Sequence, residues 1–281
     1  MADVTEPTAL NNQAPGLLKR IAIASPFFSY LIPTYILQVI LAATHHWDIR
    51  TYGIAILRPF IPALMALAVA WLAMGKAQAM KLLKSFTNYR VHPKFYAFAL
   101  LYPGVVGLIS LGILRVIGLN KVIEIDTESV ADFEFFRINV EVSASEELAW
   151  VSFLTTFFAK RYRLFQSSMF VGFFWGVWYI PIVLAEIQVA PGFPIIPLIA
   201  NFMLIAAICA WLYDRTKSAL LVFIMQLTTA YTSQIVPVLP LRGGNAQYIG
   251  FVVCKFVLAI ALYVFWGPKP MFGRAPREAA T

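Results

Sequence analysis

Charge is what this 281-residue sequence has least of: Asp, Glu, Lys and Arg together make up 13% of it, against 60% hydrophobic residues. Mean hydropathy is +0.74. So few charges over so much apolar surface exclude a water-soluble globular domain. Cysteine is almost absent: the two present, Cys209 and Cys254, both fall inside apolar runs. That excludes a disulfide framework and a thiolate metal cluster. Histidine is scarce too. His45, His46 and His92 are all there are, and the hydropathy pattern puts them in connectors. No imidazole is then expected at bilayer depth, and no metal or other cofactor is expected. A cleavable leader is not expected either, because the first apolar run is too long for one.

What the chain does have is apolar runs of about 20 residues, the length a helix needs to cross a bilayer. They fall at roughly 21–44, 53–75, 95–118, 138–158, 168–188, 193–213, 218–240 and 247–266. The expected fold is therefore all-α: a polytopic membrane bundle of about eight transmembrane helices spanning 21–266, between tails at 1–20 and 267–281. The net charge of +8 follows the membrane, and no nucleic-acid partner is expected. The 76–94 connector holds Lys76, Lys81, Lys84, Arg90 and Lys94 without an acid. Lys160, Arg161 and Arg163, then Arg215 and Lys217, mark the next connectors on that side. The opposite 119–137 connector carries Glu124, Asp126, Glu128, Asp132 and Glu134 against Lys121 and Arg137. By the positive-inside bias both termini are expected in the cytoplasm. Short loops lean toward a bacterial inner membrane.

Against this background Glu146 and Glu147 stand out. A carboxylate at bilayer depth costs roughly 2.5–3.5 kcal/mol on insertion scales, so a pair inside a span marks a candidate site. The same helix offers Trp150, three and four residues on, and Phe153. The next carries Trp175, Trp178 and Tyr179. Asn201, Gln226 and Lys255 are polar residues in later spans and are expected to turn inward. Glu146 or Glu147 is the obvious partner for Lys255. Aromatics at helical spacing are more often packing or lipid-belt residues than ligand contacts, and Thr228, Thr229 and Ser233 more often bond to their own helix.

At these residues the sequence resembles the CPBP family, the CAAX-protease and bacteriocin-processing intramembrane metalloproteases also called Abi. The family's Glu-Glu-x-x-Trp-Arg-Gly-aromatic-Leu reads Glu146-Glu147-Leu-Ala-Trp150-Val151-Ser152-Phe153-Leu154 here. Its aromatic-x-x-Trp-His-x-Pro is Trp175-Gly-Val-Trp178-Tyr179-Ile180-Pro181. Its Trp-Leu-Tyr-x-Arg-Thr-x-Ser is intact as Trp211 to Ser218, and its His-x-x-x-Asn falls on Gln226 and Ala230. The connector from Arg90 to Tyr96, running on to Pro103, is also similar. The resemblance covers most of 76–235, with a core of about 76–240, and implies an eight-helix bundle.

In active members, the resemblance implies, the first Glu and first His activate water or bind the metal that does. The Arg orients the second Glu, and the second His and Asn stabilise the oxyanion. Here only the two glutamates survive of those six positions. Catalytic zinc typically takes three protein ligands of N, S or O type, and this core is a poor set.

The expectation is a membrane protein that has lost metalloprotease activity. It would act as a scaffold or regulator toward another membrane protein, or as a lipid-binding protein with membrane lipids around it. One alternative is a non-proteolytic enzyme: a protonated Glu146 or Glu147 would be a Brønsted acid toward an isoprenoid or lipid, in an aromatic cavity whose ring faces hold a cation. The other alternative is a CAAX-type endopeptidase. The candidate catalytic residues are Glu146, Glu147, Tyr179 and Gln226, and the candidate substrate-binding residues Trp150, Phe153, Trp175, Trp178, Asn201 and Lys255.

Overall fold

The computed structural model describes residues 16–46, 58–119, 133–187 and 189–275. Among them there is no strand, only an isolated bridge between Tyr162 and Arg274. The helices are α1 (Leu17–Ala24), α2 (Pro26–His46), α3 (Ile61–Met74), α4 (Lys76–Lys84) and α5 (Pro93–Val116). Next comes α6, which covers 133–159 and is built from Phe133–Glu146, a wide turn at Glu147–Thr155 and Thr156–Ala159. Then follow α7 (Leu164–Leu184), α8 (Ile195–Thr216), α9 (Ala219–Ile235) and α10 (Asn245–Trp266).

Among the described residues, five stretches are long and apolar enough to span a bilayer: Pro26–Thr44, Pro93–Val116, Leu164–Leu184, Ile195–Thr216 and Asn245–Trp266. The shorter apolar helices at Arg58–Met74 and Ala219–Ile235 pack with them and with α6. The burial pattern is that of a protein solvated by lipid. Leu101, Val105, Ile113, Val253 and Val257 are exposed, while Gln38, Glu147 and Lys255 are buried. The chain is thus a polytopic helical membrane protein.

Local chemistry sets the ends. His92 caps α5 by accepting the Lys94 N–H on Nδ1, with Pro93 in the first turn. Gly75 separates α3 from α4 at φ +88°, a conformation glycine adopts without Cβ strain. Lys217 ends α8 in the left-handed region, and Ser218 at once caps α9 by accepting the Leu221 N–H. The closest seam joins α7 to α8. A Cβ on Gly172 would meet the backbone of Met203, and one on Gly176 would come within 2.8 Å of Ile199 Cα. Gly172 and Gly176 are four apart, so they form the small-xxx-small face that lets membrane helices approach closely.

The structure amends the expected boundaries. The first run is broken at Ser25 into α1 and α2, and helix begins at Leu17, within the expected tail. The second run yields a shorter helix, Ile61–Met74, entered through a 3₁₀ turn at Arg58–Phe60. α2 extends through His46, so His45 and His46 belong to its last turn and not to a connector. Residues 267–275 fold back on the turn between α6 and α7. Arg163 N–H donates to Gly273 O, Ala275 N–H to Arg161 O, and Gly273 N–H to Gln166 Oε1. Glu124, Asp126, Glu128 and Asp132 of the acidic connector, and the tails at 1–15 and 276–281, lie outside the described residues.

Candidate functional site

The site begins with a change of helical pitch. Glu147–Thr155 is a π-helix, whose hydrogen bonds run five residues along and not four. Side chains mark the same period: Ser152 Oγ donates to Glu147 Oε1 at 2.7 Å, and Thr155 Oγ1 to Trp150 O at 2.8 Å. The wider turn parts the two glutamates. Glu146 lines a cavity of about 170 Å³, whereas Glu147 does not line it and is fully buried against Ser152.

Six helices wall that cavity. Asn139, Ser143 and Glu146 come from α6, Trp175 and Tyr179 from α7, and Asn201 and Phe202 from α8. Gln226 and Thr229 come from α9, Tyr248, Phe251 and Lys255 from α10, and α5 adds Tyr102. Most of these lie near the starts of α6, α8 and α10 and the ends of α7 and α9. The cavity is therefore offset toward the end of the bundle that carries the 236–244 connector.

Two polar centres face each other across it. At one, the Tyr179 hydroxyl donates to Glu146 Oε1 at 2.5 Å. The Tyr179 ring stacks on Phe202, with centroids 4.3 Å apart, and Trp175 lies beside Glu146 without closing a hydrogen bond. At the other, Lys255 Nζ donates to Asn201 Oδ1 at 2.8 Å and sits 4.1 Å from the centre of the Phe251 ring. Gln226 also lines the cavity, and its Nε2 has no hydrogen-bond partner.

Four expectations change here. Lys255 is partnered by Asn201 and an aromatic face, not by a glutamate. Trp150, Phe153 and Trp178 do not line the cavity. The π turn breaks the three- and four-residue spacing that placed Trp150 beside the pair. Trp150 instead stacks on the far side of Trp175, with centroids 5.9 Å apart and planes 12° apart. Trp178 turns its indole N–H to Thr34 O, and Phe153 packs against Tyr30. Of the sequence candidates, Glu146, Tyr179, Gln226, Trp175, Asn201 and Lys255 share the cavity, and Glu147, Trp150, Phe153 and Trp178 lie around it.

Arg58 went unnoticed in the sequence. It stands at the entry to α3, and its charge acts on both Glu146 and Tyr179. A neighbouring tie, Ala63 N–H to Ser145 Oγ at 3.0 Å, holds this part of the chain beside the glutamates. A guanidinium thus approaches from α3 although Val151 stands where the family has its arginine. The signal was a lone arginine opening an apolar run. Tyr248 was missed as well, although Tyr248, Phe251 and Lys255 at spacings of three and four share one face of α10.

The donor set does not suit a metal. No group of three His, Cys, Asp or Glu side chains that could hold an ion occurs among the described residues. Glu146 is already engaged by Tyr179, Glu147 faces away, and a lysine occupies the opposite wall.

Residues 132–232 match the family model described as Type II CAAX prenyl endopeptidase Rce1-like. The match runs from the start of α6 to the last turn of α9. It includes Glu146, Tyr179, Asn201 and Gln226 and leaves Arg58 and Lys255 outside. No curated protein matches the chain.

Proposed function

We propose, from the Rce1-like domain at 132–232, that this membrane protein does not hydrolyse peptides and instead holds an amphiphilic lipid or isoprenoid-bearing ligand at the Glu146 cavity. The observation that carries the proposal is the pairing of Tyr179 with Glu146. At the position where the resembling family places a histidine, a phenol donates a hydrogen bond to the carboxyl group and gives it neither a base nor a metal ligand. The 132–232 domain contains no histidine at all, and Gln226 and Ala230 stand at the other two catalytic positions of the resembling family.

A pure scaffold has little use for an open polar cavity, since buried polar groups without partners are costly. Here Gln226 Nε2 is left without one beside open volume. That favours a ligand over a closed bundle. The cavity's size limits what enters. At about 170 Å³ it falls below the roughly 300–1,000 Å³ of clefts that bury a drug-sized ligand, so it suits a head group and not a whole isoprenoid chain. Acid chemistry on an isoprenoid enclosed within the bundle therefore loses ground to head-group binding. By the bias of the basic connectors, both termini face the cytoplasm and the cavity opens toward the opposite side.

The test uses purified full-length protein in nanodiscs with a fluorogenic prenylated CAAX peptide. No cleavage above background is expected, with or without added zinc. Metal analysis should find no stoichiometric zinc. Cleavage that disappears in Glu146→Gln would overturn the reading. In a ligand screen by native mass spectrometry, wild-type protein should retain an amphiphile whose retention Glu146→Gln changes. Equal retention by both would remove the cavity from the account.

A further inference from the structure

The wall opposite Glu146 is built from donors, and they are not all used. Lys255 is 1% exposed and Gln226 8%, so both are withdrawn from solvent, yet both line the cavity. An ammonium carries three N–H donors. Here one meets Asn201 Oδ1, and the Phe251 ring face lies close by. None of the ion pairs among the described residues involves Lys255. Gln226 Nε2 has no acceptor, and the Tyr248 hydroxyl lies beside Asn201 without closing a hydrogen bond.

Elsewhere in the cavity the Trp175 indole N–H, beside Glu146 on α7, also lacks a partner, whereas several other side chains are engaged. Asn139 Nδ2 donates to Phe135 O, Thr229 Oγ1 to Met225 O and Ser233 Oγ to Thr229 O. Of the three cavity donors without acceptors, two, Gln226 Nε2 and the Tyr248 hydroxyl, thus lie on the α9–α10 wall, where Lys255 also stands.

We infer that Lys255, Gln226 and Tyr248 form an anion subsite that receives the carboxylate or phosphate of a membrane-embedded amphiphile. The inference rests on the ligand reading above and names the chemistry of the ligand's head. A buried cation without a carboxylate partner is strongly disfavoured unless an anion completes it. Charge-assisted bonds to carboxylate and phosphate oxygens are the strong ones that lysine makes. Glu146 sits across the same cavity, but the Tyr179 hydroxyl donates to it and the Arg58 charge acts on it. Both soften its repulsion of an incoming anion. At about 170 Å³ the cavity takes the head, and the chain extends beyond it.

The experiment measures binding to the full-length protein in a non-ionic detergent, by thermal shift and native mass spectrometry. The probes are dodecanoate, dodecyl phosphate, dodecanol, acetate and inorganic phosphate. The two anionic amphiphiles should bind and dodecanol should not compete. Lys255→Met should weaken them about tenfold or more, as expected for losing a charged hydrogen bond, and Lys255→Arg should restore part of the affinity. Gln226→Leu is the second variant, should Lys255→Met fail to insert, and it should weaken the anionic probes while leaving dodecanol unchanged.

Equal binding of dodecanol and dodecanoate, unaffected by either variant, would overturn the subsite and leave the ligand reading intact. Lys255-dependent binding of acetate or phosphate alone would support the subsite and count against an amphiphile. No binding of any probe would overturn both.

Discussion

The two ends of the bundle treat their polar groups in opposite ways. At the end where α8 passes into α9, the groups of the connector itself are closed, although Trp211 Nε1 one turn before it is not. Asn88 Nδ2 donates to Thr216 O at 3.0 Å, and Ser218 Oγ to Asn88 O at 2.6 Å. Thr216 Oγ1 donates to Leu212 O, and the Leu221 N–H to Ser218 Oγ. At the cavity end, Gln226 Nε2, the Tyr248 hydroxyl, Trp175 Nε1 and Arg58 Nε are buried without partners. Thr216 and Ser218 of the intact Trp211 to Ser218 motif therefore lie where the structure is self-sufficient, and the altered Tyr179, Gln226 and Ala230 lie where it is not. Retained motif residues here hold helix ends together, while the chemistry of the open end has been rewritten.

Substitutions sharpen that contrast, and the largest effect belongs to the seam on which both ends depend. Gly172→Leu drives a side chain into the Met203 backbone. It should cost about 3 kcal/mol or more, the upper part of the overpacking range, seen as lost folded yield and a lower unfolding midpoint in mixed micelles. Next, Asn88→Ala should cost about 1–2 kcal/mol by stranding Thr216 O and Lys217 O. Ser218→Ala added to it should cost less than the two changes separately. An additive result would mean that the closed end is not one network.

Smaller still are the stability changes at the open end. Glu146→Gln and Glu147→Gln should each alter unfolding by about 1 kcal/mol or less, because each keeps an oxygen for Tyr179 or Ser152. Only Glu146→Gln should change ligand retention. If Glu147→Gln did so equally, the division of labour set by the π turn would fall. The smallest effect lies on the surface. The Arg137 hydrogen bonds lower the pKa of Glu134 from its ordinary value. A lowered folded pKa means that this contribution is present above the ordinary carboxylate range and is lost as pH falls through the folded value. Arg137→Gln should flatten that acid limb slightly in a pH series of unfolding midpoints.

Much of the frame was legible in the sequence because a long apolar run has few alternatives to a helix. The run read at 193–213 became Ile195–Thr216, and the one at 247–266 became Asn245–Trp266. Less visible were features that depend on local pitch or distant pairing. Nothing in Glu147–Thr155 announces a π-helix, and a π turn changes which neighbours a residue meets, so Trp150 was placed wrongly. The Lys255–Asn201 bond spans 54 positions and follows from how α8 meets α10, which no periodicity encodes. Charge attraction pointed to a glutamate, and packing chose an amide and a ring face. Glu146, Tyr179 and Gln226 were found because polar residues in apolar spans are rare. Arg58 was overlooked because an arginine at a span's edge looks like topology.

The fold-back of residues 267–275 has a practical bearing on how the protein is handled. α10 is anchored there through Gly273 and Ala275 to Arg163 and Arg161, and Lys255 lies on the same rigid rod, some 17 Å from its last residue at 1.5 Å per residue. A fluorescent or affinity tag appended at the carboxyl end would hang just beyond that strap. Load placed on it would be felt along α10, at the ammonium. Binding measurements are better made with the tag at the amino end.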